Sequence, residues 1–428
     1  MLDSLRKIWK TPELRKKILY TFAMLLLYRL VSVIPAPGIN PTAVANRIDL
    51  PLLQLVNMMT GNALSNMTIM AMGITPYINA SIIMQLLCIA IPALERMQQD
   101  ETGAGREKIA RITRYVTVGL AAVQAIGIVL TMGAINPTPA RWLNMILVGL
   151  SMAGGTALAM WIGERITDKG IGNGISLLIF VGIVSNLFNG IITNFTSASA
   201  QNTMSGWMSV LIIFVVAVVI TIVVTFVELA ERRIPLQIAK QTKGRRVYGG
   251  QNTRMTLKVV SVGVMPLIFA YSFLAFPGTI AQMVDRTGKA PFTLWWQANM
   301  SAGSILYIVI SALLIIGFTY FYSSISFDPK KQAEQLIMQG ATIPGQRGRN
   351  IARYLKTVTG RLNLFAALYL AILSAVPSLL TRQLNMSVPF AASSILIAVS
   401  VALETIRTIQ GEMSIRGIEM DVEKGGFM

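Results

Sequence analysis

The 428-residue chain has no histidine, a single cysteine and few charged residues. Histidine is the commonest metal ligand and a frequent general base, so its absence excludes His-dependent catalysis and His-ligated metal sites. The lone Cys88 excludes an internal disulfide and is expected to be a packing thiol rather than a reactive one. Charged residues make up 13% of the chain, whereas about 25% is usual in globular proteins. This composition is not that of a globular domain.

The chain is instead rich in long apolar runs. Hydrophobic residues make up 54% of it, the mean hydropathy is +0.60, and the clearest run is WMSVLIIFVVAVVITIVVTFV, from Trp207 to Val227. Such a run is long enough to cross a bilayer as a helix, and its apolar residues are continuous rather than alternating, which argues against a barrel. We predict an all-α polytopic membrane protein with ten spans, at 18–34, 75–92, 114–133, 143–163, 174–192, 208–231, 258–276, 304–323, 363–381 and 389–407.

The basic residues fall mainly on one side of these spans. Most of the 37 Lys and Arg lie in the N-terminal segment, in the loops after spans two, four, six and eight, or in the C-terminal tail. The exceptions are Arg29, Arg47, Arg141, Arg286, Lys289 and Arg382. Cytoplasmic loops carry an excess of Lys and Arg, so this bias predicts that both termini are cytoplasmic. One missed span would invert every later loop, so the bias also supports ten spans.

Two halves of the chain carry a similar interruption. Span two opens with GITP (73–76), and span seven carries GVMP (263–266). Paired Gly/Pro interruptions point to a functional site at a repeat interface, although Gly and Pro are common enough in membrane helices for a chance match. Five spans per half would make the halves inverted. The predicted organisation is an N-terminal segment, two halves and a tail, at 1–17, 18–192, 193–407 and 408–428.

The segment before span two, TGNALSNMTIMAM, is too short and too polar to cross a membrane. It is either a helix lying at the interface or a short half-helix folded back inside the bundle, where protein or a cavity surrounds it.

Acidic residues are almost absent from the middle of the spans. Glu164, Glu228, Glu231 and Glu404 all lie near predicted cytoplasmic ends. Ion-coupled carriers keep acidic residues at membrane depth, so their scarcity argues against a coupled solute transporter and against an acid/base hydrolase. The motif KGIGNGIS (169–176) resembles a phosphate loop, but no strand precedes it, and a flexible entry into span five is the better interpretation.

Two predicted cytoplasmic loops, 232–257 and 324–362, are long and basic. One interpretation is a topology signal that also contacts anionic lipid. The other is a docking surface for an acidic partner such as RNA, because clustered Lys and Arg release its counterions. The length of both loops favours docking.

Several motifs together resemble the SecY family of protein-conducting channels. AKQTKGRRVYGGQNT (239–253) is similar to the family's loop between helices six and seven, and GNALSNMTIMAMGITPYINASIIMQLL (61–87) to its plug and second helix. GIGNGIS and IPAPGIN (34–40) resemble the start of its fifth helix and the end of its first, and matches recur from about 11 to 409. The resemblance implies ten helices in two inverted five-helix halves, hinged like a clamshell between spans five and six. It also implies a channel that passes unfolded preproteins and releases apolar helices sideways between spans two and seven.

The resemblance also assigns sites to residues. The implied plug, about 61–70, comprises Gly61, Asn62, Ala63, Leu64, Ser65, Asn66, Met67, Thr68, Ile69 and Met70. The implied pore ring comprises Ile74, Ile78, Ile179, Ile183, Ile268 and Ile397, and the i, i+4 spacing of its first two pairs puts each pair on one helix face. The lateral gate would include Asn79, Ile82 and Phe276, and the docking loops Arg245, Arg246, Tyr248 and Arg347.

The loop between helices eight and nine departs from the family pattern Pro-Gly-x-Arg-Pro-Gly. Pro344, Gly345 and Arg347 match, but Gly348 replaces the second proline. A looser tip weakens the expectation that Arg347 serves a motor protein.

The resemblance implies partners but neither a cofactor, a metal nor an enzymatic activity. The expected partners are the SecE and SecG subunits, the SecA ATPase, ribosomal RNA of the ribosome, an unfolded preprotein with its signal peptide, and membrane lipid. The expected location is the bacterial plasma (inner) membrane. The alternatives are an inverted-repeat solute transporter, which the charge-poor spans disfavour, and a lipid-binding scaffold, which would need neither gate nor plug.

Replacing Arg245→Glu together with Arg246→Glu should weaken ribosome binding and flatten its dependence on salt. Fewer phosphate contacts release fewer counterions, so the logarithm of the affinity falls less steeply with the logarithm of salt. Binding measured across a salt series tests this, and an unchanged affinity and slope would mean that both arginines serve only as topology signals.

Overall fold

The structure is a computed structural model that describes residues 9, 11–39, 57, 60–98, 100, 103–132, 141–201, 204–238, 241–243, 246–248, 252–284, 290–300, 304–345, 349–384 and 392–415. The helices of the first half are α1 (Pro12–Val31), α2 (Thr75–Ala90), α3 (Pro92–Gln98), α4 (Ala104–Met132), α5 (Arg141–Lys169) and α6 (Gly174–Gln201). The later helices are α7 (Met204–Leu229), α8 (Met265–Val284), α9 (Pro291–Asn299), α10 (Ile305–Ser326), α11 (Pro329–Met338), α12 (Arg349–Leu384) and α13 (Ala392–Ile415). The strands are β1 (Glu231–Ile238), β2 (Gln241–Lys243), β3 (Arg246–Tyr248), β4 (Asn252–Lys258) and β5 (Ala341–Thr342).

A helix occupies each of the ten predicted span positions. Within the described residues, six helices are long and apolar enough to cross a membrane, namely α4, α5, α6, α10, α12 and α13. The pair α2 and α3 adds a seventh if it counts as one broken span. The chain is therefore a multi-pass helical membrane protein, and the predicted all-α class is confirmed.

Several helices run beyond the apolar segments that predicted them. α4 begins at Ala104 rather than 114, and α12 covers Arg349–Leu384 rather than 363–381. Helical hydrogen bonds continue into water after the apolar stretch ends, so hydropathy marks only the part of a helix that lipid requires. Span seven differs in the other direction, because β4 ends at Lys258 and turns follow, so α8 begins at Met265 rather than 258.

The axis of the second span bends by 109° between α2 and α3. Ile91 separates the two helices in an extended conformation, with φ −111° and ψ 111°, and Pro92 begins α3. A residue before proline is disfavoured in the helical region because the proline ring crowds its backbone. The proline therefore ends the second membrane helix at Ala90.

The chain divides into two compact units. The first comprises 1–203, 275–301 and 401–428, and the second comprises 204–274 and 302–400. In the first unit, a small core at one end joins α1, the turn before α6 and α13 through Leu14, Ile171 and Met413. Lys17 of α1 and Glu412 of α13 form an ion pair beside this core.

The second unit contains a small sheet that the sequence analysis did not predict. The loop after α7 is a β-hairpin in which β1 and β4 pair antiparallel from Glu231↔Lys258 to Gln237↔Asn252. β2 and β3 form a second antiparallel pair between them, and β5 joins the other edge of β1. The hairpin signal was present as alternation, because Ile234, Leu236 and Leu257 are buried while their strand neighbours are exposed.

The two basic loops share one apolar core. Leu236 and Leu257 of the hairpin belong to one buried cluster. The other loop contributes Leu336 of α11, Ile343 just after β5 and Leu355 of α12. The loops that the sequence analysis treated separately are thus one folded module, which we call the loop module and define by the described residues of 231–258 and 329–358.

Leu355→Ala should open the loop module, because a buried leucine truncated to alanine costs about 2–5 kcal/mol. Trypsin should cleave the basic loops of the detergent-solubilised protein roughly tenfold faster or more, since 1.4 kcal/mol corresponds to a factor of ten. Leu364→Ala on the same helix is the matched control, because Leu364 is 54% exposed. Equal cleavage of the two variants would contradict a shared core.

Candidate functional site

Residues 61–74 form a buried segment with no regular secondary structure inside the first unit. The sequence analysis considered an interfacial helix or a half-helix for this stretch, and both are wrong for residues 61–70, which form turns, a bend and a single β-bridge from Thr68 to Pro35. Gly61, Asn62 and Met67 have positive φ values of 65°, 69° and 44°, a region that non-glycine residues adopt rarely. These turns and positive φ values explain why the apolar residues here do not follow a helical period.

Hydrogen bonds from the end of the first span hold this segment. The amide of Ala36 donates to the Met67 carbonyl at 2.9 Å, and the amide of Ile69 donates to the Ile34 carbonyl at 3.0 Å. Further along, the Ser65 amide donates to Oδ1 of Asn57 at 2.9 Å. These bonds give an irregular backbone the partners that lipid cannot offer.

The segment packs against the C-terminal part of α4 and the middle of α5. Leu64 and Met67 are 0% and 1% exposed, and they share a core with Val129 and Met152. Gly155 of α5 allows the closest approach, because a Cβ there would overlap the carbonyl oxygen of Ile69. The segment is therefore closely packed within the first unit.

The side chain of Arg29 on α1 contacts Gly61, the first residue of the segment. Its Nη2 donates to the Val181 carbonyl of α6 at 3.0 Å, and its Nη1 lies 3.5 Å from the Gly61 carbonyl. The sequence analysis counted Arg29 only as a charge on the extracytoplasmic side. A cation within an apolar span was the signal that pointed to a functional residue.

The turns before α2 and α8 have the same local geometry. Gly73 and Gly263 both have positive φ, at 51° and 59°, and each lies two residues before the first helical residue. A proline follows as the second helical residue in both cases. The paired Gly/Pro interruptions of the sequence therefore correspond to one turn-and-helix unit used twice.

All six isoleucines of the predicted pore ring are buried, with exposures from 1% to 8%. Ile74 and Ile179, far apart in the chain, line one cavity of about 10 Å³ together with Tyr28, Thr60, Thr75 and Leu178. Ile78 and Ile183 lie one helical turn beyond them on α2 and α6. Ile268 and Ile397 belong to the second unit. The structure thus brings two ring residues together, and the complete ring stays a prediction.

The predicted gate residues lie on α2 and α8. Oδ1 of Asn79 is buried and has no hydrogen-bond partner among the described residues, and Ile82 is half-buried. Phe276 belongs to α8 and immediately precedes Pro277, which lies inside that helix, but its side chain lies outside the described residues. Proline removes a helical hydrogen bond, so α8 has a built-in weak point next to Phe276.

Two comparisons with known proteins agree on the family. The model of the SecY family matches residues 68–406. The protein translocase subunit SecY of Streptomyces scabiei is 40% identical over 441 aligned positions, which cover 98% of this chain and 99% of the relative. The chain belongs to the SecY family. It is the channel subunit of a protein translocase and not an enzyme.

Solved SecY-family channels share its fold. One is a SecY protein whose plug domain stabilises the closed state and maintains a membrane seal, with a TM-score of 0.67, 19% identity and 95% of each chain covered. Another is Sec61 in the canine ribosome–channel complex, with a TM-score of 0.67, 17% identity and the same coverage. At these identities the likeness supports the fold.

In this SecY-family chain, two of the four predicted docking residues belong to the loop module. Arg246 and Tyr248 lie on β3, paired in register with Lys243 and Gln241 of β2. Arg245 and Arg347 lie outside the described residues. The docking assignment therefore stays a prediction.

The glycine-rich motif before α6 is a packing element. The Ile171 amide donates to Oγ1 of Thr21 at 3.1 Å, and Oδ1 of Asn173 accepts from the amides of Ile175 and Ser176 at 3.1 and 3.4 Å. Asn173 thus caps the start of α6, which leaves those amides unavailable to a phosphate. Within the described residues, no group of three His, Cys, Asp or Glu side chains is placed to hold a metal ion.

A further contact escaped the sequence analysis. The hydroxyl groups of Tyr271 on α8 and Ser374 on α12 are 2.6 Å apart. This bond lies one turn of α8 beyond Ile268, and it fixes α8 within the second unit. Hydroxyl residues are common in membrane helices, so neither position stood out.

Proposed function

We propose that this channel passes unfolded preproteins across the membrane and releases transmembrane helices sideways into lipid. The observation that carries the proposal is the buried, irregular segment 61–74 within a helical membrane unit. Irregular backbone is tolerated at membrane depth only where protein or an aqueous cavity surrounds it. A segment that has its own small set of tertiary bonds can move as one piece, and a movable stopper suits a polypeptide channel.

Residues 61–70 are the proposed plug. Support comes from their turn conformation, their burial against α4 and α5, and the two backbone bonds to residues 34 and 36. These contacts are few enough to break together and specific enough to reform in one position.

The six isoleucines are the proposed pore ring. Their burial fits a collar that closes when no chain is present, and the contact of Ile74 and Ile179 with one cavity supports the assignment. Ile78 and Ile268 are each the fourth residue of α2 and α8, so the repeated turn-and-helix unit presents them equivalently. A ring of aliphatic side chains excludes water without binding the passing chain.

Helices α2 and α8 are the proposed lateral gate. The unpartnered Oδ1 of Asn79 favours this, because a buried polar atom without a partner costs about 1–3 kcal/mol and is stabilised by an incoming polar group. Pro277 gives α8 a point at which to bend.

The loop module is the proposed docking surface for the ribosome and the SecA ATPase, with Arg245, Arg246, Tyr248 and Arg347 as contacts. Its shared core supports this role, because a folded module presents its charges in fixed positions. SecE and SecG are the proposed membrane partners. The bias of basic residues supports a bacterial plasma membrane location with both termini in the cytoplasm.

Ile397→Asn tests the pore ring. If Ile397 lines a water-filled funnel, the polar side chain should be tolerated during folding and should wet the collar, because a hydrophobic constriction closes by excluding water. The variant should accumulate normally, raise the resting ion conductance of reconstituted vesicles and export preproteins with defective signal sequences.

Ile315→Asn is the matched control, because Ile315 is fully buried on α10 and lies outside the proposed ring. It should lower the protein level without a leak, since a buried amide without partners is costly. The ring assignment would be wrong if Ile397→Asn behaved in the same way as this control.

A reversible crosslink tests the gate. Asn79→Cys and Phe276→Cys, combined in a Cys88→Ser background, should form a disulfide that blocks export, and reduction should restore it. Each single substitution in the same background controls for the loss of either side chain. Normal export of long preproteins by the fully crosslinked channel would rule out gating by α2 and α8.

A further inference from the structure

Arg29 is a cation near the end of α1, in the apolar stretch FAMLLLYRLV. Ionisable residues inside membrane spans are costly, and those that persist usually serve the protein's function. Its guanidinium does not simply extend towards water, because it contacts two other parts of the first unit. These contacts are the Val181 carbonyl on α6 and the Gly61 carbonyl at the start of the plug.

No carboxylate lies within ion-pair distance of Arg29 among the described residues, in contrast to Lys17 and Arg114. Among the described residues, its hydrogen-bond partners are therefore the backbone carbonyls of Val181 and Gly61. Arginine suits this arrangement because its planar fork can donate to two acceptors at once, whereas a lysine ammonium is a single point.

Gly61 is shaped to receive this side chain. A Cβ at Gly61 would lie 2.5 Å from both Nη1 and Nη2 of Arg29, so only glycine leaves room for the guanidinium on its backbone. Its φ of 65° also favours glycine. The contact with Arg29 in this geometry therefore requires glycine at position 61.

The second contact leads to the pore ring. Val181 lies on α6 between Ile179 and Ile183, the two ring residues of that helix. One side chain thus connects the first residue of the plug with the helix that carries part of the collar.

We propose that Arg29 is a latch that positions the plug in the closed channel by tying Gly61 to α6. This inference rests on the proposed plug function. Displacement of the plug breaks the bond to Gly61, and a shift of α6 that widens the collar breaks the bond to Val181. Closure of the funnel and closure of the collar are thereby coupled through one guanidinium.

The test compares four single variants reconstituted in vesicles, with resting ion conductance and export of a signal-defective preprotein as readouts. Arg29→Met removes the charge and the donors, and it should raise both readouts several-fold. Arg29→Lys should give intermediate values, because a single ammonium group replaces the two donor nitrogens of the guanidinium. Gly61→Ala keeps the arginine but displaces it, and it should match Arg29→Met.

Gly38→Ala is the matched control for backbone strain. Its φ is 84°, yet an added Cβ would meet nothing closer than 3.7 Å. It should leave both readouts unchanged. The double variant Arg29→Met with Gly61→Ala should leak no more than either single variant, because both changes remove one interaction.

The outcomes separate the latch from the plug. A variant lacking residues 62–68 should leak whatever the role of Arg29. If that deletion leaks while Arg29→Met and Gly61→Ala stay tight, the latch is wrong and the plug stands. If the deletion variant also shows no increase in resting conductance, the plug assignment is wrong, and the latch, which rests on it, is wrong too. If Arg29→Met does not accumulate, Gly61→Ala decides: a tight channel overturns the proposal, and a leak that Gly38→Ala lacks supports it.

Discussion

Lipid offers no hydrogen-bond partner to a peptide group, and the architecture of this channel follows from how its backbone meets that constraint. The helices satisfy it internally. The proposed plug, residues 61–70, meets it through tertiary bonds to residues 34 and 36, through turns of its own and through burial against α4 and α5. A stopper in a membrane channel must be released without unfolding the bundle. Short turns held by a few specific bonds allow this, whereas a continuous spanning helix would not.

The same constraint explains the geometry at the entries to α2 and α8. Each helix starts from a left-handed glycine and places a proline at its second position, where the missing amide hydrogen is not needed. Four residues into each helix an isoleucine is buried. In the proposed pore ring, this repeated turn would let each half place an isoleucine at the equivalent helical position.

Charge in this protein is separated by depth. The loop module presents basic residues on a folded sheet with its own apolar core, while the spans hold almost none. Arg29 is the exception that contacts the proposed plug, and among the described residues its partners are backbone carbonyls and not a carboxylate. A full ion pair at that depth would resist opening more strongly, since breaking it leaves two uncompensated charges. Carbonyl partners give a hold that can be released.

Local sequence determined the fold class and the ten span positions, because hydropathy and Gly/Pro turns act over short stretches of chain. The motifs around 61–87 and 239–253 were enough to indicate the family. The sequence did not reveal the conformation of residues 61–70, the joining of two basic loops by β5 and Leu355, or the contacts of Arg29. Those depend on contacts between residues far apart in the chain. The core of residues 61–72 includes apolar residues of α4, of α5 and of the chain just after α1, and its members follow no local period. The sequence around an arginine does not show whether its side chain faces water or the carbonyl of Gly61. Only the packed tertiary structure brings those partners within hydrogen-bond distance.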